Sequence, residues 1–271
     1  MALPGISNGN EFYSAHYLES VLSGDIKKVK QRWAEEAKAE LETNPLAEVS
    51  TPEQQFRALR KPWQKLREAE LGIRNDPAER LRLQRELFFQ PLLEALGYPI
   101  DPHAEPVLIG GEAYQIPLLG EVRNGKDEPW LWVVECFNPS DEAADPLELT
   151  IATTWACQIK DPSLGTVHES ETWEELISER VFGQDTPPRW VLAVSRDQLL
   201  LIDRQKWAAS RLLRFELDAL LGDNNADALL AAATLLHREH TCPTDGGTPY
   251  LDELDENSHK HAYEVSGDLK Y

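Results

Sequence analysis

The sequence lacks the features that would assign it to a membrane or secreted class. Its 271 residues contain no apolar run of about 18 residues, the length that a membrane-spanning helix needs. The first 26 residues hold no lysine or arginine, which a secretory signal peptide carries at its start. Only three cysteines occur, Cys136, Cys157 and Cys242, and none forms a Cys-x-x-Cys pair. These absences predict a cytoplasmic protein with buried thiols, rather than a zinc knuckle or a disulfide-stabilised fold.

Familiar catalytic motifs are also missing. No GxxxxGK(S/T), GxGxxG or GxSxG occurs, so the local geometry of nucleotide-binding loops and of α/β-hydrolases is not predicted. The histidine pairs His237/His240 and His259/His261 have no cysteine or glutamate cluster at metal-ligand spacing. The sequence therefore does not assign a metal to these histidines.

Basic side chains are few, 27 against 47 acidic ones, and the net charge of −20 disfavours a polyanion-binding surface overall. The charge is uneven, because residues 27–90 carry 14 basic and 11 acidic side chains (+3), whereas residues 91–271 carry 13 and 33 (−20). Phosphate contacts are therefore expected from the first third of the chain, although the same side chains would also fit an ordinary solvated helix face. The candidate DNA-binding residues are Lys27, Lys28, Lys30, Arg32, Arg57, Arg60 and Lys61.

Helix signals dominate residues 25–97. Between Asp25 and Glu42, apolar residues recur every four positions, as in an amphipathic helix. The segment Thr51-Pro52-Glu53-Gln54 combines an N-cap, a first-turn proline and a capping-box glutamine. Asp76-Pro77-Ala78-Glu79 has a similar signature and predicts a helix that ends at Gly97. An N-terminal helical region is thus expected.

Beyond Pro99 the pattern becomes extended. Apolar segments at residues 114–122 and 129–137 flank a turn-rich stretch and predict adjacent strands, and those at 189–194 and 198–203 predict a tight hairpin. Further helices are expected near 146–159, 170–182 and 227–237, with a short strand and helix over 207–221. The predicted fold class is α/β (α+β), a helical region followed by a mixed β-sheet flanked by helices.

The chain is predicted to divide into three parts, 1–97, 98–240 and 241–271. Residues 241–249 are rich in proline and glycine and form a linker, and a polar helix follows from Leu251. Because this last helix has few apolar side chains, we expect it to pack against part of a longer polypeptide.

Two glutamates lie near the ends of the predicted strand pair, Glu121 and Glu135. Metal-dependent nucleases hold a divalent cation with two such acids, and a lysine two residues after the second acid orients the attacking water. Here Phe137 occupies the lysine position. The sequence therefore predicts a vestigial catalytic pair, which would bind Mg²⁺ and cleave DNA only if a lysine such as Lys126 or Lys160 came from elsewhere.

Three parts of the chain resemble the N-terminal region of large type IIG restriction–modification and phage-defence methyltransferases, the Eco57I-like enzymes. They are NEFYSAHYL at 10–18, PPRWVLAV and LLIDRQKW at 187–194 and 200–207, and LDENSHKHAY at 254–263. The resemblance implies a restriction-endonuclease-like fold for residues 98–240. It also implies that residues 241–271 lead into a domain that methylates adenine N6 with S-adenosylmethionine.

This sequence departs from the active members of that family at two points. Phe137 interrupts the nuclease motif, and no Asn-Pro-Pro-Tyr occurs. Its nearest equivalent, residues 138–141, lacks the second proline and the aromatic residue that hold a flipped base. No cofactor is therefore expected in this chain, and S-adenosylmethionine is expected only in the methyltransferase domain.

The leading functional hypothesis is a cleavage-inactive, nuclease-like domain that positions duplex DNA, or a partner defence subunit, for an adenine-N6 methyltransferase. One alternative is an active Mg²⁺-dependent endonuclease that uses Glu121 and Glu135. A second is an acidic module that mimics DNA or docks on a basic protein. Nicking of plasmid DNA would indicate the first alternative, and tight capture of a basic partner without DNA affinity would indicate the second.

Overall fold

The computed structural model describes residues 3–73, 76–140, 142–151, 170–243 and 247–268, with side chains as far as residue 261. Six strands form one mixed sheet in the order β1-β8-β7-β6-β5-β4, and β2 and β3 form a separate antiparallel hairpin. Among the described strands of the large sheet, only β5 and β6 pair in parallel. The strands are β1 (Ile6–Gly9), β2 (His103–Ile109), β3 (Glu112–Leu118), β4 (Gly120–Arg123), β5 (Pro129–Glu135), β6 (Trp190–Val194), β7 (Gln198–Asp203) and β8 (Leu212–Glu216).

The helices of the first half precede the large sheet in sequence, apart from strand β1. A π-helical turn at Tyr17–Val21 leads into the first helix, and another at Arg85–Phe89 joins the fourth helix to the fifth. The helices are α1 (Leu22–Thr43), α2 (Pro52–Ala58), α3 (Arg60–Glu70), α4 (Pro77–Gln84) and α5 (Gln90–Ala95). The helices predicted over residues 25–97 are therefore present, whereas β1, in the same predicted part of the chain, pairs with β8 in the large sheet.

The described residues of the second half contain three helices of three or four residues and two longer ones. A 3-10 turn covers Pro146–Glu148, and π-helical segments cover Leu176–Val181 and Asp218–Gly222. The helices are α6 (Trp173–Glu175), α7 (Arg204–Trp207), α8 (Ala226–Leu236), α9 (Arg238–Thr241) and α10 (Tyr250–Asp268). Most of the helix predicted near 146–159 lies outside the described residues.

Local sequence signals fix the helix ends as predicted. The Thr51 hydroxyl accepts from the Gln54 amide at 3.3 Å, and the Gln54 side chain accepts from the Thr51 amide at 2.9 Å. At the other end of the helical region, Gly97 adopts φ +78°, which lets the Tyr98 amide donate to the Leu93 carbonyl at 2.9 Å. That pair of features is the Schellman arrangement, for which glycine is favoured.

Two hydrophobic clusters cover the two faces of the sheet. On one face Leu131, Val133 and Leu192 contact a cluster that also takes in side chains of α1, α2, α5 and α8. On the other face Trp132 and Val191 pack with the β2–β3 hairpin and with α6. The molecule is therefore a mixed α/β structure, and the general class is confirmed.

The segment predicted as one strand over 114–122 is divided between the two sheets. Residues up to Leu118 pair with β2, and those from Gly120 pair with β5. The predicted 189–203 hairpin is present as β6 and β7. Strand β2 was not predicted, because Pro106 interrupts its apolar pattern and proline is compatible only with an edge position.

The predicted burial of the thiols is confirmed for Cys136 and Cys242, and Cys157 lies outside the described residues. Burial raises the pKa of the Cys242 thiol to about 12. Burial also raises the pKa of the Cys136 thiol, so neither thiol has the low pKa of a catalytic nucleophile.

In the described part of the chain, no helix is long and apolar enough to cross a membrane.

Candidate functional site

The two glutamates of the predicted nuclease pair lie on opposite faces of the sheet. Glu121 is paired with Trp132 across β4 and β5, and Trp132 belongs to the cluster on the hairpin side. Glu135 lies three residues further along β5, and side chains alternate along a strand, so it shares the face of Val133. The predicted pair is therefore corrected, since two carboxylates on opposite faces cannot bind one ion.

Glu135 is instead a buried ion-pair partner. Its side chain is fully buried, and one carboxylate oxygen accepts from Arg85 Nε at 2.8 Å and from Arg85 Nη2 at 2.5 Å. Burial raises the pKa of Glu135, and the Arg85 charge opposes that effect. Phe137 is buried as well, so no ammonium group takes the lysine position of a nuclease.

The lysines considered as substitutes do not restore that position. Lys126 lies in the exposed β4–β5 turn, where its amide donates to the Asn124 side chain at 2.8 Å. Lys160 lies outside the described residues. The described residues therefore contain no nuclease site of the predicted form.

Glu121 lies in a different polar cluster, at the edge where β4 meets the hairpin. One oxygen of Glu121 accepts from Arg123 Nε at 2.7 Å. Glu105 and His103 of β2 lie beside it, and each of the three residues offers one ligand atom within 4.8 Å of the others. Burial and the Glu121 charge raise the pKa of Glu105, although Arg123 and His103 oppose the rise. Of the described residues, these three form the group that could hold a metal ion.

A glycine explains how two separate strands meet at this edge. A Cβ on Gly120 would lie 2.2 Å from the Pro99 carbonyl oxygen, which is far inside van der Waals contact. Because glycine has no Cβ, the chain before β2 can lie against the start of β4. There the Asp101 amide donates to the Leu119 carbonyl at 2.9 Å. His103, two residues further on, is thereby placed beside Glu121.

Three of the seven candidate DNA-binding residues are engaged within the chain. Lys30 and Arg57 share the buried carboxylate of Glu53, at 3.2 and 3.1 Å. Arg32 pairs with Glu239 at 2.8 Å and with Glu36 at 3.1 Å. Because Arg32 is paired with two acids, it is less suited to contact DNA than the cations that have no ion pair among the described residues, whereas Lys30 and Arg57 share one carboxylate between them.

The other four candidates are exposed, and no ion pair involves them in the described part of the chain. Lys28 differs from its neighbours, because it borders a cavity of about 420 Å³ together with Asp25, Glu239 and Glu253. Acidic groups around this cavity would repel a phosphate. Lys28 is therefore the least suited of the four to contact DNA.

The remaining cations lie along two joined helix faces. Positions three or four apart share a helix face, so Lys27 lies beside Lys30 on α1, and Arg60 and Lys61 follow Arg57 along α2 and α3. The Trp63 amide donates to the Leu59 carbonyl at 2.9 Å, which carries helical bonding across the junction between α2 and α3. The Lys30–Glu53 pair joins the two faces. We call these five residues, Lys27, Lys30, Arg57, Arg60 and Lys61, the basic strip.

Sequence reasoning missed His103 and Glu105. Their His-x-Glu spacing on a strand would place both side chains on one face, and this was the available signal. It could be used only once β2 was recognised as a strand.

Comparisons with protein-family models, with curated proteins and with solved structures gave no match.

Proposed function

We propose that this chain is a DNA-positioning domain, nuclease-like in fold and without cleavage activity of its own, that works beside an S-adenosylmethionine-dependent adenine-N6 methyltransferase. The observation that carries the proposal is the basic strip in a chain of net charge −20. Clustered cations that the chain itself does not fully neutralise provide a surface that a negatively charged partner could bind.

The dimensions of the strip suit one DNA strand. Residues 57–61 extend about 6 Å at 1.5 Å per residue, and the Lys30–Glu53 ion pair joins them to the cations of α1. A strand of duplex DNA carries a phosphate about every 3.4 Å along the axis. The strip is therefore long enough to contact at least two successive phosphates, and such contacts would fix the register of the DNA without reading its sequence.

The positions of the acids support the proposed lack of cleavage activity. Glu121 and Glu135 face opposite sides of the sheet, and the side chain at the position of the water-orienting lysine is Phe137. The methyltransferase partner rests on the resemblance of residues 10–18, 187–207 and 254–263 to Eco57I-like enzymes.

Charge reversal of the strip tests the proposal. In the triple variant Lys27→Glu/Arg60→Glu/Lys61→Glu, the affinity for a fluorescent DNA duplex is expected to fall at least tenfold at low salt. Each lost phosphate contact removes about one unit from the slope of log K against log salt, so the slope should flatten by about three. Fluorescence anisotropy over a salt series measures both quantities.

A matched control distinguishes an effect of the basic strip from an effect of net charge alone. Lys38→Glu/Lys126→Glu/Arg204→Glu changes the formal charge equally at exposed positions elsewhere, and it is expected to keep the wild-type slope. Equal losses in both triple variants would show that the strip is not the contact. A wild-type chain with no DNA affinity even at low salt would overturn the proposal and favour the protein-docking alternative.

A further inference from the structure

We propose that His103, Glu105 and Glu121 bind one divalent transition-metal ion of the Zn²⁺ class, and that Arg123 and the Asp101 carbonyl position these ligands. This site differs from the Glu121–Glu135 pair that the sequence suggested, and it does not depend on the DNA-positioning function. The argument rests on how each ligand is held.

Each of the three side chains has one polar atom held by the protein and a second polar atom that could bind an ion. His103 Nδ1 lies 2.6 Å from the Asp101 carbonyl, and since a carbonyl only accepts, Nδ1 carries the proton. The lone pair of the neutral ring is then on Nε2, which lies 3.5 Å from Glu105 Oε2. Metal-binding histidines typically have their second nitrogen fixed by such a donor bond.

The carboxylates repeat this arrangement. Arg123 Nε donates to Glu121 Oε1 at 2.7 Å, and Arg123 Nη2 lies 3.5 Å from Glu105 Oε1. The second oxygen of Glu121, Oε2, is buried and has no hydrogen-bond partner among the described residues. A buried carboxylate oxygen without a partner is costly, and a metal ion would satisfy it.

The charge of the cluster also favours a cation. Two carboxylates outnumber the one guanidinium beside them, in a region where the ligand side chains are only 19–28% exposed. Burial strengthens the interaction of a divalent ion with these carboxylates. The partial exposure leaves a route for the ion to enter.

The donor set selects the kind of metal. Mg²⁺ and Ca²⁺ prefer oxygen ligands alone, whereas one imidazole nitrogen with two carboxylates suits Zn²⁺ and its first-row neighbours. Zinc–ligand bonds of roughly 2 Å require the three ligand atoms to approach more closely than their present separations, a movement that rotation of the two glutamate side chains provides. Three protein ligands leave a fourth position open for water.

The experiment uses the 271-residue chain after removal of metals with a chelator. Competition with a chromophoric chelator is expected to show one equivalent of Zn²⁺ bound. Glu121→Gln and Glu105→Gln, which keep the side-chain shape, are each expected to lower the affinity at least tenfold. Because the ion would join β2 to β4 across the two sheets, Zn²⁺ should also raise the thermal midpoint of the wild type and not of the variants.

Two further measurements keep the result unambiguous. Co²⁺ in place of Zn²⁺ should give a visible spectrum without a thiolate charge-transfer band, which excludes binding by cysteine. The double variant His259→Gln/Glu256→Gln removes an exposed histidine and glutamate from α10 and should bind Zn²⁺ as the wild type does. Unchanged Zn²⁺ affinity in metal-free Glu121→Gln and Glu105→Gln chains with wild-type circular dichroism, or no Zn²⁺ binding by the wild type, would overturn the proposal.

Discussion

At the scale of single residues, Arg85 supplies the counter-charge for the buried Glu135 carboxylate. One Glu135 oxygen is held by Arg85, and the other has no hydrogen-bond partner among the described residues. Replacement of Arg85 by methionine would leave a buried carboxylate without its counter-charge. We expect Arg85→Met to lower the free energy of unfolding by about 3–5 kcal/mol, as measured by urea denaturation.

The pH dependence of this variant has a defined sign. Burial raises the pKa of Glu135 above its ordinary value, and loss of Arg85 removes the group that opposes the rise. The folded state then holds a proton that the unfolded state releases, so stability is highest below the ordinary carboxyl pKa and falls as the pH rises toward the raised one. Arg85→Met should therefore be more destabilising at about pH 8 than at about pH 5.

Arg82, three residues earlier in α4, provides the control. It pairs with Glu79 and Glu86 on the surface, so Arg82→Met is expected to change stability little at either pH. Equal destabilisation by the two substitutions, or a pH-independent effect of Arg85→Met, would contradict the assigned role of Glu135.

At the scale of secondary-structure elements, Gly120 controls how the hairpin meets the sheet. A Cβ there would lie 2.2 Å from the Pro99 carbonyl oxygen, whereas a Cβ on Gly125 in the nearby turn would meet nothing within 4 Å. We expect Gly120→Ala to cost about 1–3 kcal/mol through a forced backbone shift and Gly125→Ala to be tolerated. Thermal unfolding of the two variants makes the comparison, and similar midpoints would argue against the close approach.

The secondary-structure elements that could be predicted from the sequence are those whose ends are set by interactions between nearby residues. The capping box at Thr51 and the C-terminal signal at Gly97 act within a few residues, so they can be recognised without knowing the fold. The face of a strand residue depends instead on register. The pairing of Gly120 with Val133 sets the sides of Glu121 and Glu135, and no local pattern reports it.

The candidate metal cluster could not be predicted for a related reason. It requires β2 to be a strand despite Pro106, and it requires β4 to leave the hairpin at Leu119. The position of β2 and the departure of β4 from the hairpin both depend on the contact between Gly120 and the Pro99 backbone. This contact joins residues about twenty positions apart. The basic strip was recognised in part, because charge composition is visible in sequence, but the neutralisation of Arg32 by Glu239 is a long-range contact.

At the scale of the whole molecule, helix α10 packs against the main hydrophobic cluster. Leu251 and Leu254 of α10 are buried in the main hydrophobic cluster, and the Tyr13 hydroxyl donates to the Leu251 carbonyl at 3.1 Å. Asp252 pairs with Arg189 at 2.5 Å, where the guanidinium also meets Asp203. The first half of α10 is thus tied to both the N-terminal segment and the sheet, although the sequence suggested that it would pack elsewhere.

Loss of α10 should therefore affect stability throughout the chain. A chain that ends at Pro249 would expose the surface under Leu251 and Leu254, each worth about 1.5–3 kcal/mol when fully buried. It would also leave Arg189 without Asp252. We expect this truncation to lower the free energy of unfolding by several kcal/mol, and Leu254→Ala alone by about 2–5 kcal/mol. Glu256→Ala on the exposed side of α10 is the control in urea denaturation, and a truncated chain as stable as the wild type would show that α10 is an appendage rather than part of the core.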